Sequence, residues 1–263
     1  MVKLQNLSID YEVSSHEKVA ALANVDADFP TGKISALLGS SGCGKTSIIH
    51  VMAGLLQASR GNILINGETL QGVRKSTAII FQDFGLLPWK SAYANVELPL
   101  KFNGLKKKQR RELTLSLLKE FGLEKSVHLY PKQLSGGMKQ RLAIARSLVA
   151  DPDLLLMDEP FSSLDALTRE AAQDFLLEIT AKRKITIVIV THSIDEAVYL
   201  ADSVYIMTGK NPGTIMQHID LPARNKNTFR EDLRFQECCM FIRNALKEDV
   251  TISKDDAEGH CHE

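Results

Sequence analysis

The sequence contains few cysteines for its length: four in 263 residues, at positions 43, 238, 239 and 261. Four thiols do not form a disulfide framework in a chain this long, and adjacent Cys238 and Cys239 could pair only with strain, so we expect reduced thiols. The terminal run His260-Cys261-His262 has metal-binding side chains, but no second cluster would complete a tetrahedral site. A metal site and a solvated tail are the alternatives there, and the missing second cluster favours the tail.

The chain also has no excess charge of either sign, since 32 Lys and Arg balance 32 Asp and Glu. It has no global basic field that would recruit nucleic acid or anionic lipid, and we expect no nucleic-acid partner. No apolar run approaches the roughly 18–20 residues that span a bilayer. Residues 1–13 alternate without the basic start and apolar middle of a signal peptide. These absences predict a cytoplasmic chain, unless another subunit holds it at a membrane.

A glycine-rich segment follows the apolar run Ile34–Leu38 and precedes a helical pattern from Thr46 to Leu56. In this context the glycines let successive backbone N–H groups approach a phosphate. Lys45 supplies a cation to the β and γ oxygens, and the Thr46 hydroxyl ligates Mg²⁺. A chance glycine-rich turn is the alternative, but the complete Gly-x-x-x-x-Gly-Lys-Thr spacing argues against it. The residues expected to bind ATP here are Gly39, Ser40, Ser41, Gly42, Cys43, Gly44, Lys45, Thr46 and Ser47.

Ionisable side chains follow two further apolar strands. Asp158 and Glu159 come directly after Leu154–Met157, where a carboxylate is tolerated if it faces a metal ion and its waters. Glu159 is placed to accept a proton from the water that attacks the γ-phosphate. An exposed turn could also hold two carboxylates, but it does not explain the apolar strand before them. His192 follows Ile185–Val190, and this strand-end position favours a role in the site over a structural one.

Strands that alternate with helices, with this chemistry at their C-terminal ends, predict an α/β fold with a mostly parallel core sheet. Alternating residues from Val2 to Tyr11 and from Val25 to Phe29 predict an N-terminal antiparallel β portion. A helical pattern places an inserted α-helical lobe at about residues 92–150. We expect one domain over residues 1–221 and an extension over 222–263 with a short helix near 235–246 and a polar tail.

The segment Leu134–Arg141, LSGGMKQR, followed by the segment Leu154–Pro160, resembles the ATPase subunit of an ATP-binding-cassette (ABC) transporter, a P-loop NTPase. The resemblance runs from about Val2 to about Leu221. It implies ATP binding and hydrolysis in a homodimer, where the phosphate loop of one protomer and the signature of the other hold each ATP. The signature residues are Ser135, Gly136 and Gly137, and Asp165 lies in the segment Ser162–Asp165 that crosses the interface in the family.

The same resemblance assigns roles to other residues. Gln82 is similar to the glutamine that reaches Mg²⁺ and the attacking water, and His192 to the histidine that contacts the γ-phosphate. Tyr11 is similar to the aromatic that stacks on adenine, with an ordinary strand aromatic as the alternative. The implied catalytic residues are thus Glu159, His192, Lys45 and Gln82, and the implied Mg²⁺ ligands are Thr46, Gln82 and Asp158.

Within the family, Phe81–Trp89, Ala94–Leu100 and Pro212–Ile215 resemble importers of nitrate, sulfonates and taurine. This implies two transmembrane permease subunits, an indirect solute-binding partner, and a place at the cytoplasmic face of the inner membrane. Lys139 stands where Gln or Arg is common, and the acidic His/Cys-containing tail has no counterpart in the family.

Two alternatives share the same ATP site. A soluble ABC ATPase acting on nucleic acid or ribosomes usually has two cassettes or a long coiled coil, which this chain lacks. The motor of an exporter differs only in its membrane partner, and Pro88-Trp89 argues mildly against it. The apolar segment Leu86–Val96 is either a docking surface for a membrane subunit or a core loop with Trp89 buried.

Overall fold

The computed structural model describes residues 1–14, 17–208, 212–223 and 229–258. The chain forms two compact units: the first unit comprises residues 1–73 and 186–263, and the second unit comprises residues 74–185. The run His260-Cys261-His262 lies outside the described residues, as does the predicted polar tail around it. The division predicted at residue 221 stays a prediction.

The first unit begins with β1 (Val2–Ser14), β2 (Glu17–Phe29), β3 (Ile34–Leu38), α1 (Lys45–Met52), β4 (Arg60–Ile65) and β5 (Glu68–Thr69). The second unit contains β6 (Thr77–Ile80), α2 (Ala92–Phe102), α3 (Lys107–Glu120), α4 (Gly136–Leu148), β7 (Leu154–Asp158) and α5 (Ala166–Ala181). The chain returns to the first unit with β8 (Thr186–Thr191), α6 (Ile194–Leu200), β9 (Ser203–Met207), β10 (Ile215–Asp220) and α7 (Leu233–Glu258).

The N-terminal strands of the first unit form an antiparallel sheet in the order β2-β1-β4-β5. Val2 pairs with Phe29 on one side and with Ile65 on the other. Leu4, Leu7 and Ile9 of β1 are buried, and bulges shift the register between them, which interrupts the simple alternation. The turn between β4 and β5 uses Asn66 and Gly67 in the left-handed region, as the Asn-Gly pair predicts for a tight hairpin.

Parallel strands carry the functional loops. In the first unit β3 lies between β8 and β9 and runs parallel to both, and all residues of β3 and β8 are buried. Strand β10 adds an antiparallel edge to β9. In the second unit β6 and β7 are parallel. A strand that is buried on both faces has a continuous run of apolar residues, which explains the apolar composition of Ile34–Leu38 and Leu154–Met157. The predicted α/β fold with mostly parallel strands and an N-terminal antiparallel portion is confirmed.

Helices α2, α3 and α4 of the second unit fall within residues 92–150, where the sequence predicts a helical lobe. Helix α2 packs against both α3 and α4. Ser91 caps α2, since its hydroxyl accepts a hydrogen bond from the Ala94 N–H at 3.2 Å.

The C-terminal helix α7 is longer than the predicted stretch near residues 235–246 and extends to Glu258. No glycine or proline interrupts the sequence between Leu233 and Glu258, so no local signal ends the helix earlier. Helix α7 packs against α6, with Cys239, Ile242 and Ala245 buried. The described cysteines, at positions 43, 238 and 239, are free thiols. Among the described residues, every helix is too short or too polar to cross a membrane.

Candidate functional site

The predicted phosphate loop joins β3 to α1 in the first unit. Gly42 and Gly44 have φ values of +85° and +92°, which glycine adopts without steric cost. Lys45 begins α1 and is only 5% exposed. Its Nζ donates hydrogen bonds to the carbonyl oxygens of Gly39 at 2.9 Å and Ser40 at 2.6 Å. The loop therefore curls around the ammonium group at the N-terminus of a helix, an arrangement that binds phosphate through N–H groups and positive charge.

A contact that the sequence does not predict supports this loop. The Gly213 N–H donates to the Ala21 carbonyl at 2.9 Å, and the Ala23 N–H donates to the Gly213 carbonyl at 3.1 Å. These bonds seat Gly213 so tightly that a Cβ atom there would lie 2.1 Å from the carbonyl oxygen of Cys43. Gly44 is similarly crowded, since its Cβ would lie 2.4 Å from Leu22 Cδ2. The local sequence signal at this contact is the pair Pro212-Gly213, which is typical of a turn but does not identify its partner.

Gly213→Ala is therefore expected to weaken ATP binding about tenfold, because the added methyl group displaces the phosphate loop at an overpacking cost of about 1–3 kcal/mol. Titration with a fluorescent ATP analogue measures this. Gly104→Ala is the control: its positive φ makes the substitution unfavourable for stability, but nothing lies within 4 Å of its Cβ position, so ATP binding should not weaken. Unchanged affinity in Gly213→Ala, at an unchanged thermal midpoint, would show that the loop does not depend on this contact.

Two further predicted residues lie in the first unit. The Tyr11 hydroxyl lies 2.9 Å from Ser47 Oγ on α1, and the Tyr11 side chain is 41% exposed. This places a partly exposed ring next to the helix that follows the phosphate loop, as adenine stacking requires, although the stacking itself stays a prediction. His192 follows β8 and is exposed, and Ser193 caps α6 by accepting from the Glu196 N–H at 3.3 Å.

The acidic residues lie at the end of β7 in the second unit. Asp158 is the last residue of this strand and is 7% exposed. Glu159 has a φ of 44°, a left-handed conformation that residues with a side chain rarely adopt and that recurs at functional sites. Ser162 holds the turn, since its N–H at 3.2 Å and its hydroxyl at 2.9 Å both donate to the Glu159 carbonyl. The Gln82 amide donates to the Glu159 carboxylate at 3.4 Å, so the structure brings these two predicted residues together.

The signature lies at the start of α4, also in the second unit. Ser135 caps the helix by accepting a hydrogen bond from the Met138 N–H at 3.3 Å. A Cβ on Gly136 would lie 2.9 Å from Leu164 Cδ2, and one on Gly137 would lie 3.0 Å from Thr168 Cγ2. The glycines are therefore needed for packing against Leu164 and Thr168 as well as for the approach of an anion. The sequence does not predict this packing role.

Asp165 caps α5, because its carboxylate accepts a hydrogen bond from the Thr168 N–H at 3.0 Å. Hydrogen bonds from Thr168 lower the pKa of the Asp165 carboxyl below its ordinary value. Asp165 thus stabilises the helix whose first turn packs on the signature glycines. Its predicted role at a protomer interface stays a prediction.

The segment after Gln82 carries Trp89, which is 70% exposed. The alternative of a core loop with Trp89 buried is therefore wrong. Asn95 holds this segment from α2: its amide nitrogen donates to the carbonyl oxygens of Leu87 at 3.2 Å, Lys90 at 2.9 Å and Ser91 at 3.1 Å. Its side-chain oxygen accepts from the Leu87 N–H at 2.9 Å. The fully buried Asn95 thereby holds a fixed backbone beneath an exposed indole.

The donor set suits MgATP. Mg²⁺ takes oxygen ligands and is usually bound through one or two carboxylates together with substrate phosphates and waters. The predicted ligands supply a hydroxyl from Thr46, an amide oxygen from Gln82 and a carboxylate from Asp158. Within the described part of the chain no group of three or more His, Cys, Asp or Glu side chains could hold a metal by itself. Ligands of the predicted kind leave positions on Mg²⁺ for phosphate oxygens and waters.

Comparison with known proteins agrees with this chemistry. The family model described as ABC transporter matches residues 22–162. The taurine import ATP-binding protein TauB of Rhizobium johnstonii is 40% identical over 221 residues, which is 84% of each chain. The ABC transporter ATP-binding protein MJ0412 of Methanocaldococcus jannaschii is 39% identical over 252 residues, covering 96% of this chain and 93% of that protein.

A solved structure is similar over most of the fold. The ATP-binding cassette MJ0796, described as a dimer in a post-hydrolysis state bound to ADP and Pi, superimposes with a TM-score of 0.73 at 31% identity. The match covers 85% of this chain and all of that one. Together with the complete phosphate loop, the acidic strand end and the signature, these likenesses show that the chain belongs to the ABC transporter family and is an ATP-hydrolysing ATP-binding cassette.

Proposed function

We propose that this chain is the motor subunit of a membrane importer. It couples ATP binding and hydrolysis in a nucleotide-sandwiched homodimer to uptake of a small solute that carries an anionic group, such as taurine, another sulfonate or nitrate. The observation that carries the proposal is the 40% identity, over 84% of both chains, to a protein named for taurine import. A relative from Yersinia pestis with the same name is 41% identical over 201 residues. These names favour transport over the alternative of a soluble ATPase acting on nucleic acid or ribosomes.

In the proposed site the phosphate loop holds the nucleotide. Backbone N–H groups of residues 42–46 and the Lys45 ammonium bind the β- and γ-phosphates, and Tyr11 stacks on adenine. Thr46, Gln82 and Asp158 would hold Mg²⁺, which when bound neutralises charge on the phosphate oxygens. Two observations support these assignments: Lys45 Nζ lies within the loop, at the carbonyl oxygens of Gly39 and Ser40, and Asp158 ends β7 directly before Glu159.

Glu159 is the proposed general base. A water oxygen attacks the γ-phosphorus, the bond to the β-phosphate oxygen breaks, and the water proton passes to the Glu159 carboxylate. His192 is proposed to contact the γ-phosphate and to hold the water in line. The hydrogen bond from Gln82 and the fixed backbone turn at Glu159 support this role, because a base must be held in one geometry.

The dimer is proposed from the two phosphate-binding surfaces. The signature caps a helix with Ser135 and two glycines, a geometry that suits an anion, yet the chain already has a complete phosphate loop. We propose that the signature binds the γ-phosphate of the ATP held by a second copy. ATP would then stabilise the dimer and hydrolysis would release it. The solved relative, which is described as a dimer with ADP and Pi, supports this arrangement.

The proposed partners are two transmembrane permease subunits and, through them, an extracytoplasmic solute-binding protein, with the chain at the cytoplasmic face of the membrane. An exposed indole on a rigid base is a typical anchor for a partner protein. Trp89 is 70% exposed and follows the fixed Leu87, so it fits a helix of a permease subunit.

Trp89→Ala is expected to weaken assembly with the permease subunits, because truncation of an anchoring indole costs about 2 kcal/mol or more of interface energy. ATP binding and the thermal midpoint of the isolated chain should stay nearly unchanged. Co-expression with tagged permease subunits followed by pull-down measures assembly. Phe102→Ala is the matched control, since it removes a ring that is 76% exposed at the other end of α2. Intact pull-down with Trp89→Ala would reject this docking surface.

Transport itself is tested with the assembled complex and its solute-binding protein. Uptake of radiolabelled taurine, an alkanesulfonate and nitrate is measured in turn, with wild-type chain and with Glu159→Gln. ATP-dependent uptake of one of these solutes supports the proposal. ATP hydrolysis in a complex that accumulates none of them, and instead releases solute from loaded vesicles, would identify an exporter motor.

A further inference from the structure

Helix α4 carries an arginine whose role the proposed site does not explain. The Arg146 guanidinium, near the C-terminal end of this helix, donates to the carbonyl oxygen of Phe84 at 3.0 Å and also to that of Gly85. These two residues follow Gln82 by two and three positions. A guanidinium is a planar fork that can donate to two acceptors in one fixed geometry, which an ammonium group cannot do. Arg146 therefore holds two consecutive carbonyl groups in one orientation.

The backbone held by Arg146 is in an unfavourable conformation. The unfavourable residue is Phe84, whose φ of 65° lies in the left-handed region that is disfavoured for a large side chain. Gly85 follows with a φ of 56°, which glycine adopts without steric cost. The Phe84 N–H donates to the Phe81 carbonyl at 2.8 Å, which closes a tight turn around Gln82. A turn of this kind persists only where its surroundings hold it. The two hydrogen bonds from Arg146 supply that support together with the Asp83 carboxylate, which accepts a hydrogen bond from the Gly85 N–H at 3.0 Å.

The surroundings of Arg146 hold its guanidinium group in place. The side chain is largely buried, and burial lowers the pKa of its guanidinium while Asp83 opposes that change. Arginine stays protonated in proteins, so it remains a donor at both carbonyls. The space is also limited, since a Cβ on Gly85 would lie 3.1 Å from Phe81 Cδ2 and 3.3 Å from an Arg146 nitrogen.

We propose that Arg146 is a positioning residue for Gln82: by fixing the turn at Phe84 and Gly85 it orients the Gln82 amide beside the Glu159 carboxylate. This rests on the proposed function, in which Gln82 is a ligand of Mg²⁺ and the attacking water. Ser135 of the signature is the N-cap of α4, and Arg146 lies near the C-terminal end of the same helix. The helix whose N-terminus is proposed to bind phosphate would thereby also set the orientation of Gln82.

Arg146→Met is expected to lower kcat of the ATPase about 10- to 100-fold and to raise the Mg²⁺ concentration for half-maximal activity, because residues that orient metal ligands have effects of this size. Binding of a fluorescent ATP analogue in EDTA should change less than about twofold, since metal-free binding does not use Gln82. Arg146→Lys should give an intermediate loss, because it retains charge but not the fork.

Arg74→Met is the matched control. Arg74 precedes β6 at the end opposite to Gln82, and its guanidinium pairs with the Asp153 carboxylate at 2.8 and 3.1 Å. Its loss should lower the thermal midpoint without changing the Mg²⁺ dependence. Parallel changes in midpoint, metal-free binding and Mg²⁺ dependence in both arginine variants would show a structural role only and overturn the proposal. If Arg146→Met does not fold, Arg146→Lys is compared with Arg74→Met in the same assays.

A double-mutant cycle with Gln82→Ala decides whether Arg146 acts through Gln82. We expect Arg146→Met to reduce kcat less than about twofold further in the Gln82→Ala background, because a removed amide cannot be misplaced. Additive losses would overturn the inference and leave the proposed function intact. If Gln82→Ala alone has the same kcat and Mg²⁺ dependence as the wild type, the proposed role of Gln82 is overturned, and the inference about Arg146 is overturned with it. All assays use the isolated full chain, so the outcome does not depend on import.

Discussion

Glu159→Gln is expected to slow ATP hydrolysis about 100-fold or more while ATP binding persists, since loss of a general base has effects of this size. The amide preserves the size of the side chain and removes a negative charge from the proposed phosphate site. The backbone turn should survive, because the two hydrogen bonds from Ser162 go to the Glu159 carbonyl and not to its side chain. Because the proposed dimer opens on hydrolysis, the variant should accumulate as an ATP-bound dimer.

Two measurements on one preparation check this prediction: steady-state release of phosphate, and molecular mass by light scattering with and without ATP. Glu170→Gln is the control, since Glu170 is an exposed residue of α5 and its substitution removes the same charge. Near-normal hydrolysis by Glu159→Gln would remove Glu159 from the role of base. If hydrolysis is slow but no ATP-dependent dimer forms, Glu159 retains its proposed role as general base, and the proposed link between ATP and dimerisation is rejected.

Local signals predicted much of the fold because the physics that sets them is local. The Asn66-Gly67 pair predicts the hairpin since both residues adopt left-handed φ values, which the structure shows. The apolar runs before Gly39 and Asp158 predict buried strands since parallel strands are covered on both faces. The phosphate loop and the signature have fixed spacings, so their identification did not depend on the tertiary structure.

Contacts between distant parts of the chain could not be predicted. The helical pattern runs from Thr46 to Leu56, yet α1 ends at Met52. The chain turns at Gly54, where a Cβ would lie 2.2 Å from the Gly72 carbonyl oxygen, and a single sequence does not show that approach. The hydrogen bonds from Arg146 to the Phe84 and Gly85 carbonyls are likewise long-range contacts. The same holds for the close approach of Gly213 to Cys43 in the phosphate loop. No periodicity in a single sequence encodes such a contact.

Lys45→Ala and Ser135→Arg are each expected to lower ATPase activity at least about 100-fold, because each removes or blocks electrostatic stabilisation of the phosphate. The two faults lie in different units of the chain. Lys45 lies in the phosphate loop, with its Nζ enclosed by the Gly39 and Ser40 carbonyls. Ser135 is exposed at the start of α4, so an arginine there fits the fold and obstructs a ligand that approaches the signature.

Mixed dimers distinguish a shared ATP site from one within a single chain. In a dimer of one Lys45→Ala and one Ser135→Arg protomer, shared sites put both faults in one site and leave the other intact. Partial activity is therefore expected. In a dimer of wild type and the double variant, each shared site has one fault, and activity should be lost. Two affinity tags used in sequence isolate each mixture. Activity in only the second mixture would place each complete site within one chain, and the signature would then have to serve the phosphate loop of its own protomer.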